Sequence, residues 1–200
     1  KGVCDEYTMR EIIDFANRRS IPVIVDPASR DDYEIYRGAH CITPNRFEAQ
    51  RIWQHEIVDY SAAIRAANFI AAKFEIRHVI ITLDADGMVY VGPDAEHVCG
   101  TEPRRVYDVT GAGDSALCGI AYALAMQASW QDALTLGNLA GRCQVGQVGI
   151  HTLTRRRLLA ELESNAVIVR NDAIVEELRL LRNKKIVLTN GCFDPLHPGH

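Results

Sequence analysis

Short runs of β-branched and aliphatic residues alternate along this chain with longer segments of helical periodicity. Four runs predict strands, at residues 21–25, 40–43, 78–83 and 88–91. Four segments predict helices, at residues 5–19, 61–74, 112–126 and 131–148. Such alternation builds a sheet that is covered by helices, so the sequence predicts an α/β fold with a mainly parallel sheet. Ligands of these sheets bind at the carboxyl ends of the strands.

The far end of the chain begins a second pattern of the same kind. Residues 186–188 predict a new strand after two short helical pieces. We therefore expect a first domain over residues 1–164, a helical linker over 165–183 and the start of another domain over 184–200. The chain opens without a first strand and stops directly after a loop motif, so we expect the tail of one domain followed by the head of the next.

The composition excludes several classes of protein. Hydrophobic residues make up 48% of the chain and the net charge is −4, which gives no basic footprint for nucleic-acid binding. No apolar run approaches the ~20 residues that span a bilayer. Six cysteines are scattered without a CxxC pair, which argues against a zinc site and a disulfide scaffold. Reduced thiols in a cytoplasmic protein are the expected state.

The segment from Asp108 to Asp114, DVTGAGD, follows apolar residues and opens a predicted helix. Its glycines let the backbone approach a phosphate closely. The start of the helix points amide N–H groups and the positive end of its dipole at the same place. The Asp114 carboxylate can act there as a base for a substrate hydroxyl. The segment has the parts of a phosphoryl-transfer site, although aspartate is also a common helix cap.

This segment resembles the signature of the ribokinase-like carbohydrate kinases, which fold as a Rossmann-type α/β/α sandwich. The resemblance covers about residues 1–160 and includes an N-x-x-E element from Asn45 to Glu48. It implies Asp114 as the catalytic base and an anion hole of Gly111, Ala112 and Gly113. It implies ATP and phosphate binding by Asn45, Glu48, Asp86, Gly87, Thr110 and Asn138. Glu48 is expected to organise Mg²⁺ indirectly, because magnesium takes few protein ligands and keeps several waters.

Each of these assignments has a structural alternative. Glu48 could be a solvated helix charge, and Asn138 could be a polar residue on an exposed helix face. Asp86 lies in a turn, where aspartate is common without any role in binding. Asp26 ends a predicted strand before Pro27 and faces the expected cleft, but a turn role is equally consistent with the sequence.

A second motif, TNGCFDPLHPGH, fills residues 189–200. It resembles the first motif of the cytidylyltransferase-like nucleotidyltransferases, in which two histidines lie where a strand passes into a helix. The resemblance implies that His197 and His200 donate hydrogen bonds to an α-phosphate as charge builds there. A turn that happens to hold two histidines, or half of a metal site, is the alternative.

The pairing of these two motifs is itself specific. It resembles the bacterial bifunctional enzymes that make an ADP-activated heptose for the lipopolysaccharide core. The resemblance implies phosphorylation of D-glycero-β-D-manno-heptose 7-phosphate at the 1-position, and adenylyl transfer from ATP to heptose 1-phosphate. The implied cofactors are ATP and Mg²⁺, and a monovalent cation is a further candidate. The implied partners are a sugar phosphate and ATP, without nucleic acid or membrane, in a bacterial homodimer.

Two other hypotheses about the function stay open. One is a ribokinase-like kinase of another sugar or nucleoside, fused to a nucleotidyltransferase of other specificity. The other is a fragment that binds a nucleotide and catalyses nothing. The resemblance implies that the sugar contacts of such kinases lie mostly in an amino-terminal half, which we expect to precede this sequence.

Overall fold

The computed structural model describes residues 4–100, 111–145 and 152–163. Within these residues the helices are α1 (Glu6–Arg18), α2 (Arg46–Trp53), α3 (Tyr60–Phe74), α4 (Ala112–Ala125), α5 (Trp130–Val145) and α6 (Arg155–Glu163). The strands are β1 (Ile24–Val25), β2 (Cys41–Ile42), β3 (His78–Thr82), β4 (Met88–Val91) and β5 (Glu96–Cys99). The chain divides into two compact units, residues 1–158 and 159–200, and all of these strands belong to the first.

The strands form one mixed sheet in the order β1-β2-β3-β4-β5. The first three run parallel, whereas β4 and β5 are each antiparallel to their neighbours. The predicted α/β class is confirmed, but the expectation of a mainly parallel sheet is wrong for the described strands. The turn Asp84–Asp86 between β3 and β4 leaves no room for a crossover helix, so the chain can only return antiparallel.

Helices cover both faces of this sheet. On β3, Val79 and Ile81 pack into a core with α1, α2 and α3, while Ile80 between them packs against α4 and α5. Alternate residues of a strand point to opposite faces, so one continuous apolar run supplies both cores. The result is an α/β/α sandwich, and no helix of the described ranges is long and apolar enough to cross a membrane.

Helices α4 and α5 approach each other closely through small residues. A Cβ atom added to Gly119 would lie 3.0 Å from the Leu136 carbonyl oxygen, and one added to Gly137 would lie 2.6 Å from Cγ1 of Ile120. Glycine at both positions therefore sets the distance between the two helices. Because α4 begins at Ala112, this contact also fixes where Ala112, Gly113 and Asp114 lie.

A cluster of aromatic rings and histidines fills the edge of the sheet where β3 begins. The His78 ring stacks on Trp130 with centroids 4.2 Å apart, and its Nδ1 lies 3.0 Å from the hydroxyl of Tyr90. His40 lies beside it, with ring centroids 4.7 Å apart. Burial, together with the positive charge of His40 and Arg77, lowers the pKa of His78 to about 4.

This lowered pKa predicts a loss of stability on acidification. Between pH 6.5, the ordinary pKa of histidine, and about 4, the unfolded chain binds a proton at His78 that the folded chain does not. Stability should therefore fall as the pH drops through that window, by about 2 kcal/mol between pH 7 and 5 from this residue. Urea unfolding at both pH values measures the difference.

The matching variant is His78→Gln, which removes the titrating group. The substitution should reduce the loss of stability between pH 7 and 5, whether or not it changes the stability at pH 7. His55→Gln changes an exposed histidine and should leave the pH dependence as it is. If the free energy of unfolding changed equally with pH in the parent protein and in His78→Gln, the lowered pKa would not belong to His78.

Candidate functional site

The carboxyl ends of the three parallel strands open into a pocket of about 150 Å³. Asp26 follows β1, Thr43 follows β2 and Thr82 ends β3, so the parallel arrangement brings all three to one edge. The first turns of α4 close the opposite side. The pocket is lined by Asp26, Pro27, Thr43, Asn45, Glu48, Thr82, Gly113, Ala116, Leu117 and Ile120.

The start of α2 places Asn45 and Glu48 at this pocket. Asn45 is the N-cap: its side-chain oxygen accepts from the Glu48 amide at 2.9 Å, and the Glu48 carboxylate accepts from the Asn45 amide at 3.0 Å. This reciprocal pair is a capping box, which fixes both side chains. Glu48 is only 7% exposed and also accepts a bond from the Ser29 hydroxyl at 3.1 Å. The alternative that Glu48 is a solvated helix charge is wrong.

Negative charge is concentrated in the pocket. Burial of the Asp26 carboxyl, with the charges of Glu48 and Asp114 nearby, raises its pKa to about 6. The ionised form of Asp26 is thus disfavoured by its surroundings, and a cation bound there would favour it. Asp26 at the end of β1 and Glu48 in the first turn of α2 line the pocket, and the charge of Asp114 at the start of α4 acts on Asp26.

The three residues of the predicted anion hole lie at the start of α4, where Gly111 is the N-cap and Ala112 and Gly113 begin the first turn. Gly111 has a φ of 76°, a left-handed conformation that suits glycine, and its carbonyl accepts the bond from the Ser115 amide at 3.0 Å. In an α-helix the amides before that bond have no intrahelical acceptor, so those of Ala112, Gly113 and Asp114 can bind an anion. Asp114 is exposed.

Gly113 is not required by the packing of the described residues. A Cβ atom added there would meet no atom of those residues within 4 Å, and Gly113 lines the pocket. Its missing side chain therefore leaves open space rather than room for a neighbouring helix, in contrast to Gly119 and Gly137.

The remaining predicted residues lie elsewhere. Asp86 pairs with Arg46, at 2.5 Å between its carboxylate and the guanidinium, and neither Asp86 nor Gly87 lines the pocket. Asn138 on α5 donates a bond to the Gly100 carbonyl at 3.1 Å. Their roles in ATP binding stay predictions. Thr110, His197 and His200 lie outside the described residues.

Asp26 in the pocket wall and Ser29, which contacts the pocket residue Glu48, had no role assigned from the sequence. Asp26 was balanced between a turn and the cleft, and the structure places it in the pocket wall. Ser29 was not considered, yet it holds the Glu48 carboxylate. The signal for Asp26 was present, because the carboxyl end of a parallel strand is where ligands bind. No local pattern marks Ser29, whose partner is 19 residues away.

Comparison with known proteins places this site in a family. A sequence profile described as pfkB family carbohydrate kinase matches residues 1–156, which include the pocket and the DVTGAGD segment. The chain belongs to the pfkB family of carbohydrate kinases. Within that family, the pocket at the carboxyl edge of the sheet is the candidate active site of a sugar kinase.

Among curated relatives of this pfkB chain are two proteins named bifunctional protein HldE. That of Geobacter metallireducens is 38% identical and that of Aliarcobacter butzleri 36% identical, each over 208 residues. The matches cover all of this chain, but 42% and 43% of the respective relatives. The chain thus spans about two fifths of the length of the curated relatives it matches.

Solved structures confirm the fold that the pfkB assignment implies. The ribokinase of Arabidopsis thaliana, solved with ribose and ATP, matches with a TM-score of 0.72 at 19% identity, over 80% of this chain and 53% of that one. Phosphofructokinase-2 of Escherichia coli, solved with potassium, matches with a TM-score of 0.70 at 20% identity, over 80% and 52%. The predicted ribokinase-like fold is confirmed.

Proposed function

We propose that this chain is the carboxyl-terminal part of a kinase that phosphorylates the 1-hydroxyl of D-glycero-β-D-manno-heptose 7-phosphate from ATP. The observation that carries the proposal is Asp114 in the first turn of α4, next to Gly113 on the pocket wall. The HldE relatives, which match over the whole chain, support the heptose substrate. The carbohydrate kinase family supports the reaction class.

The chemistry follows from the arrangement of these groups. In the proposed reaction the Asp114 carboxylate accepts the proton of the sugar hydroxyl, the resulting oxygen attacks the γ-phosphorus of ATP, and ADP leaves. The amides of Ala112, Gly113 and Asp114 donate to the oxygens of the transferred phosphoryl group. Such fixed donors stabilise charge in the transition state, which is most of what phosphoryl transfer requires.

The pocket carboxylates fit magnesium. No group of three or more His, Cys, Asp or Glu side chains is arranged to hold a metal ion in the described parts of the chain. Magnesium does not need one, because it binds through one or two carboxylates together with water and substrate phosphates. Asp26 would hold it and Glu48 would orient it indirectly. Burial raises the pKa of Asp26, the charges of Glu48 and Asp114 raise it further, and a bound cation would offset those charges. Bound magnesium would neutralise charge on the phosphates of ATP.

Gly113→Ala should separate activity from stability. The added methyl group meets no described atom, and alanine favours a helix over glycine, so stability should stay unchanged or rise by up to about 1 kcal/mol. The same methyl group would displace a phosphate approaching the pocket wall, and we expect kcat/KM to fall by ~10²-fold. Thermal unfolding and steady-state kinetics measure the two effects.

The matched control is Cys118→Ala, which changes an exposed side chain one turn further along α4 and should alter neither quantity. Normal kinetics of Gly113→Ala would mean that no ligand approaches this wall.

Glu48→Gln should raise the magnesium requirement more than the KM for the sugar. The amide keeps the shape of the capping box but removes the charge, so we expect the magnesium concentration for half-maximal activity to rise by ~10-fold. Lowering the pH through about 6 should weaken magnesium activation in the parent protein as well, because Asp26 takes up a proton there.

Glu56→Gln, which changes an exposed glutamate beyond α2, serves as the control for charge alone. An unchanged magnesium requirement in Glu48→Gln would exclude Glu48 from the metal site.

A substrate panel tests the function itself. The full-length gene product is incubated with ATP and with a set of sugar phosphates, free sugars and nucleosides, and ADP release is measured for each. We expect heptose 7-phosphate to have the highest kcat/KM. A higher value for another sugar or a nucleoside would change the substrate, and no turnover with any of them would favour a non-catalytic protein.

The second activity rests on the sequence motif of residues 189–200 and on the relatives described as bifunctional. We propose adenylyl transfer from ATP to heptose 1-phosphate, with His197 and His200 at the α-phosphate. Pyrophosphate release that depends on heptose 1-phosphate tests it. ATP, Mg²⁺, a monovalent cation and a cytoplasmic homodimer complete the proposal. The ATP and the potassium of the solved neighbours support the nucleotide and the monovalent cation.

A further inference from the structure

The turn between β3 and β4 has an unusual backbone. Asp84 has a φ of 53°, a left-handed conformation that few residues other than glycine adopt, although aspartate and asparagine do so more often than most, and Gly87 has a φ of 97°. Two backbone bonds close the turn: the Leu83 amide donates to the Gly87 carbonyl at 2.7 Å, and the Asp86 amide donates to the Leu83 carbonyl at 2.9 Å. A turn of this shape requires additional interactions to hold a single conformation.

The guanidinium of Arg46 supplies most of those interactions, and the Tyr60 hydroxyl adds one by donating to the Asp86 carbonyl at 2.7 Å. The guanidinium donates to the Leu83 carbonyl at 3.0 Å and pairs with the carboxylates of Asp84 at 3.2 Å and Asp86 at 2.5 Å. Its other terminal nitrogen donates to the Ile57 carbonyl at 2.7 Å, beyond the end of α2. The Arg46 side chain is 21% exposed, but those of Asp84 and Asp86 are 73% and 63% exposed, so solvent screens the two ion pairs. The bonds from the guanidinium to the two backbone carbonyls are the less exposed part of this connection.

The position of Arg46 in the chain connects this turn to the pocket. Arg46 directly follows Asn45, the N-cap that holds Glu48. The backbone there already runs beside β3, since the Thr82 amide donates to the Pro44 carbonyl at 3.0 Å and Asn45 pairs with Thr82 in a parallel bridge. The backbone thus joins the start of α2 to the end of β3, and the Arg46 side chain also joins it to the Asp84–Asp86 segment that follows.

We propose that Arg46 is a positioning residue for ATP: it holds the β3–β4 turn in register with the start of α2, so that the two segments predicted to bind ATP form one rigid wall. This inference rests on the proposed kinase function, which assigns Asn45 and Glu48 to one segment and Asp86 and Gly87 to the other. Arginine is required because its planar fork reaches two carboxylates and two carbonyls at once, whereas a lysine ammonium is a single point charge.

The test compares Arg46→Lys and Arg46→Gln in the full-length protein. We expect the KM for ATP to rise by ~10-fold in both while the KM for the sugar phosphate stays within ~2-fold, because only the ATP wall loses its fixed geometry. Hydrogen exchange of the amides of residues 83–88 should accelerate by ~10-fold, since local opening becomes easier. Asp84→Asn, which keeps Arg46 but weakens one of its pairs, should shift both readouts in the same direction by less.

Arg51→Gln is the matched control, because Arg51 lies on the same helix and pairs with Asp31 at the surface, away from the turn. It should leave both readouts unchanged. Full recovery of the parent KM for ATP in Arg46→Lys would show that charge alone suffices and would overturn the proposal, as would unchanged values in all three variants. If the parent protein has no kinase activity, the kinase proposal fails, while the exchange measurement still tests whether Arg46 holds the turn.

Discussion

Replacing Asp114 by asparagine is expected to lower the kcat of sugar phosphorylation by at least ~10²-fold while ATP binding stays largely intact. The amide occupies the same space in the first turn of α4, but it cannot accept the proton of the sugar hydroxyl. Asparagine also remains acceptable at the start of a helix, so the fold should be retained. Steady-state kinetics and a separate ATP-binding measurement distinguish loss of chemistry from loss of binding.

Asp132→Asn is the control for this experiment. Asp132 also lies in the first turn of a helix, α5, where it accepts a bond from the Ser129 hydroxyl at 2.7 Å. If Asp114 only stabilised its helix, the two substitutions would have the same modest effect on stability and neither would affect turnover. Near-normal kcat in Asp114→Asn would exclude Asp114 as the base.

Gly137→Val is expected to lower the free energy of unfolding by about 3 kcal/mol, because two extra methyl groups follow a Cβ that already lies 2.6 Å from Ile120. The Ala116 carbonyl oxygen is 3.1 Å from the same point and cannot rotate away. Helices α4 and α5 would have to separate, and activity should fall too because α4 carries Asp114. Thermal unfolding and kinetics of the same variant measure both effects.

Gly141→Ala, on the same helix, provides the comparison. Its Cβ would lie 3.4 Å from the Ala112 carbonyl oxygen, an ordinary contact, and alanine favours the helix, so stability should be unchanged or slightly higher. A fall in stability of equal size in both variants would show that the close approach at Gly137 is not the cause.

The elements that the sequence predicted well were those with a strong local pattern. The alanine-rich periodicity of α3 and the β-branched run of β3 each define an element within a few residues. Two elements were missed. Helix α2 (Arg46–Trp53) has only eight residues, and its start was interpreted as a binding motif; β5 (Glu96–Cys99) lies at the edge of the sheet and is only partly buried, so it shows no apolar run.

Some residues of the candidate site were also predicted from local sequence patterns, whereas others depend on the packing of distant segments. The DVTGAGD segment and the N-x-x-E element are contiguous in sequence, so their residue types and spacing alone indicated phosphoryl transfer. Whether Asp26 took part was undecided, because the distances from Asp26 to Glu48 and Asp114 depend on the packing of three separate elements. The structure brings the end of β1, where Asp26 lies, to the same pocket as the starts of α2 and α4.

The sequence by itself determined the fold class, the family resemblance and the residue types of the chemistry, because hydrophobic periodicity and short motifs act over a few neighbouring residues. Only the tertiary structure decided which polar side chains contact each other. Arg46 and Asp86 are 40 residues apart, and Ser29 and Glu48 are 19 apart, yet each pair is in contact. Parallel strands bring their carboxyl ends to one edge irrespective of the length of chain between them, and no local pattern records that juxtaposition.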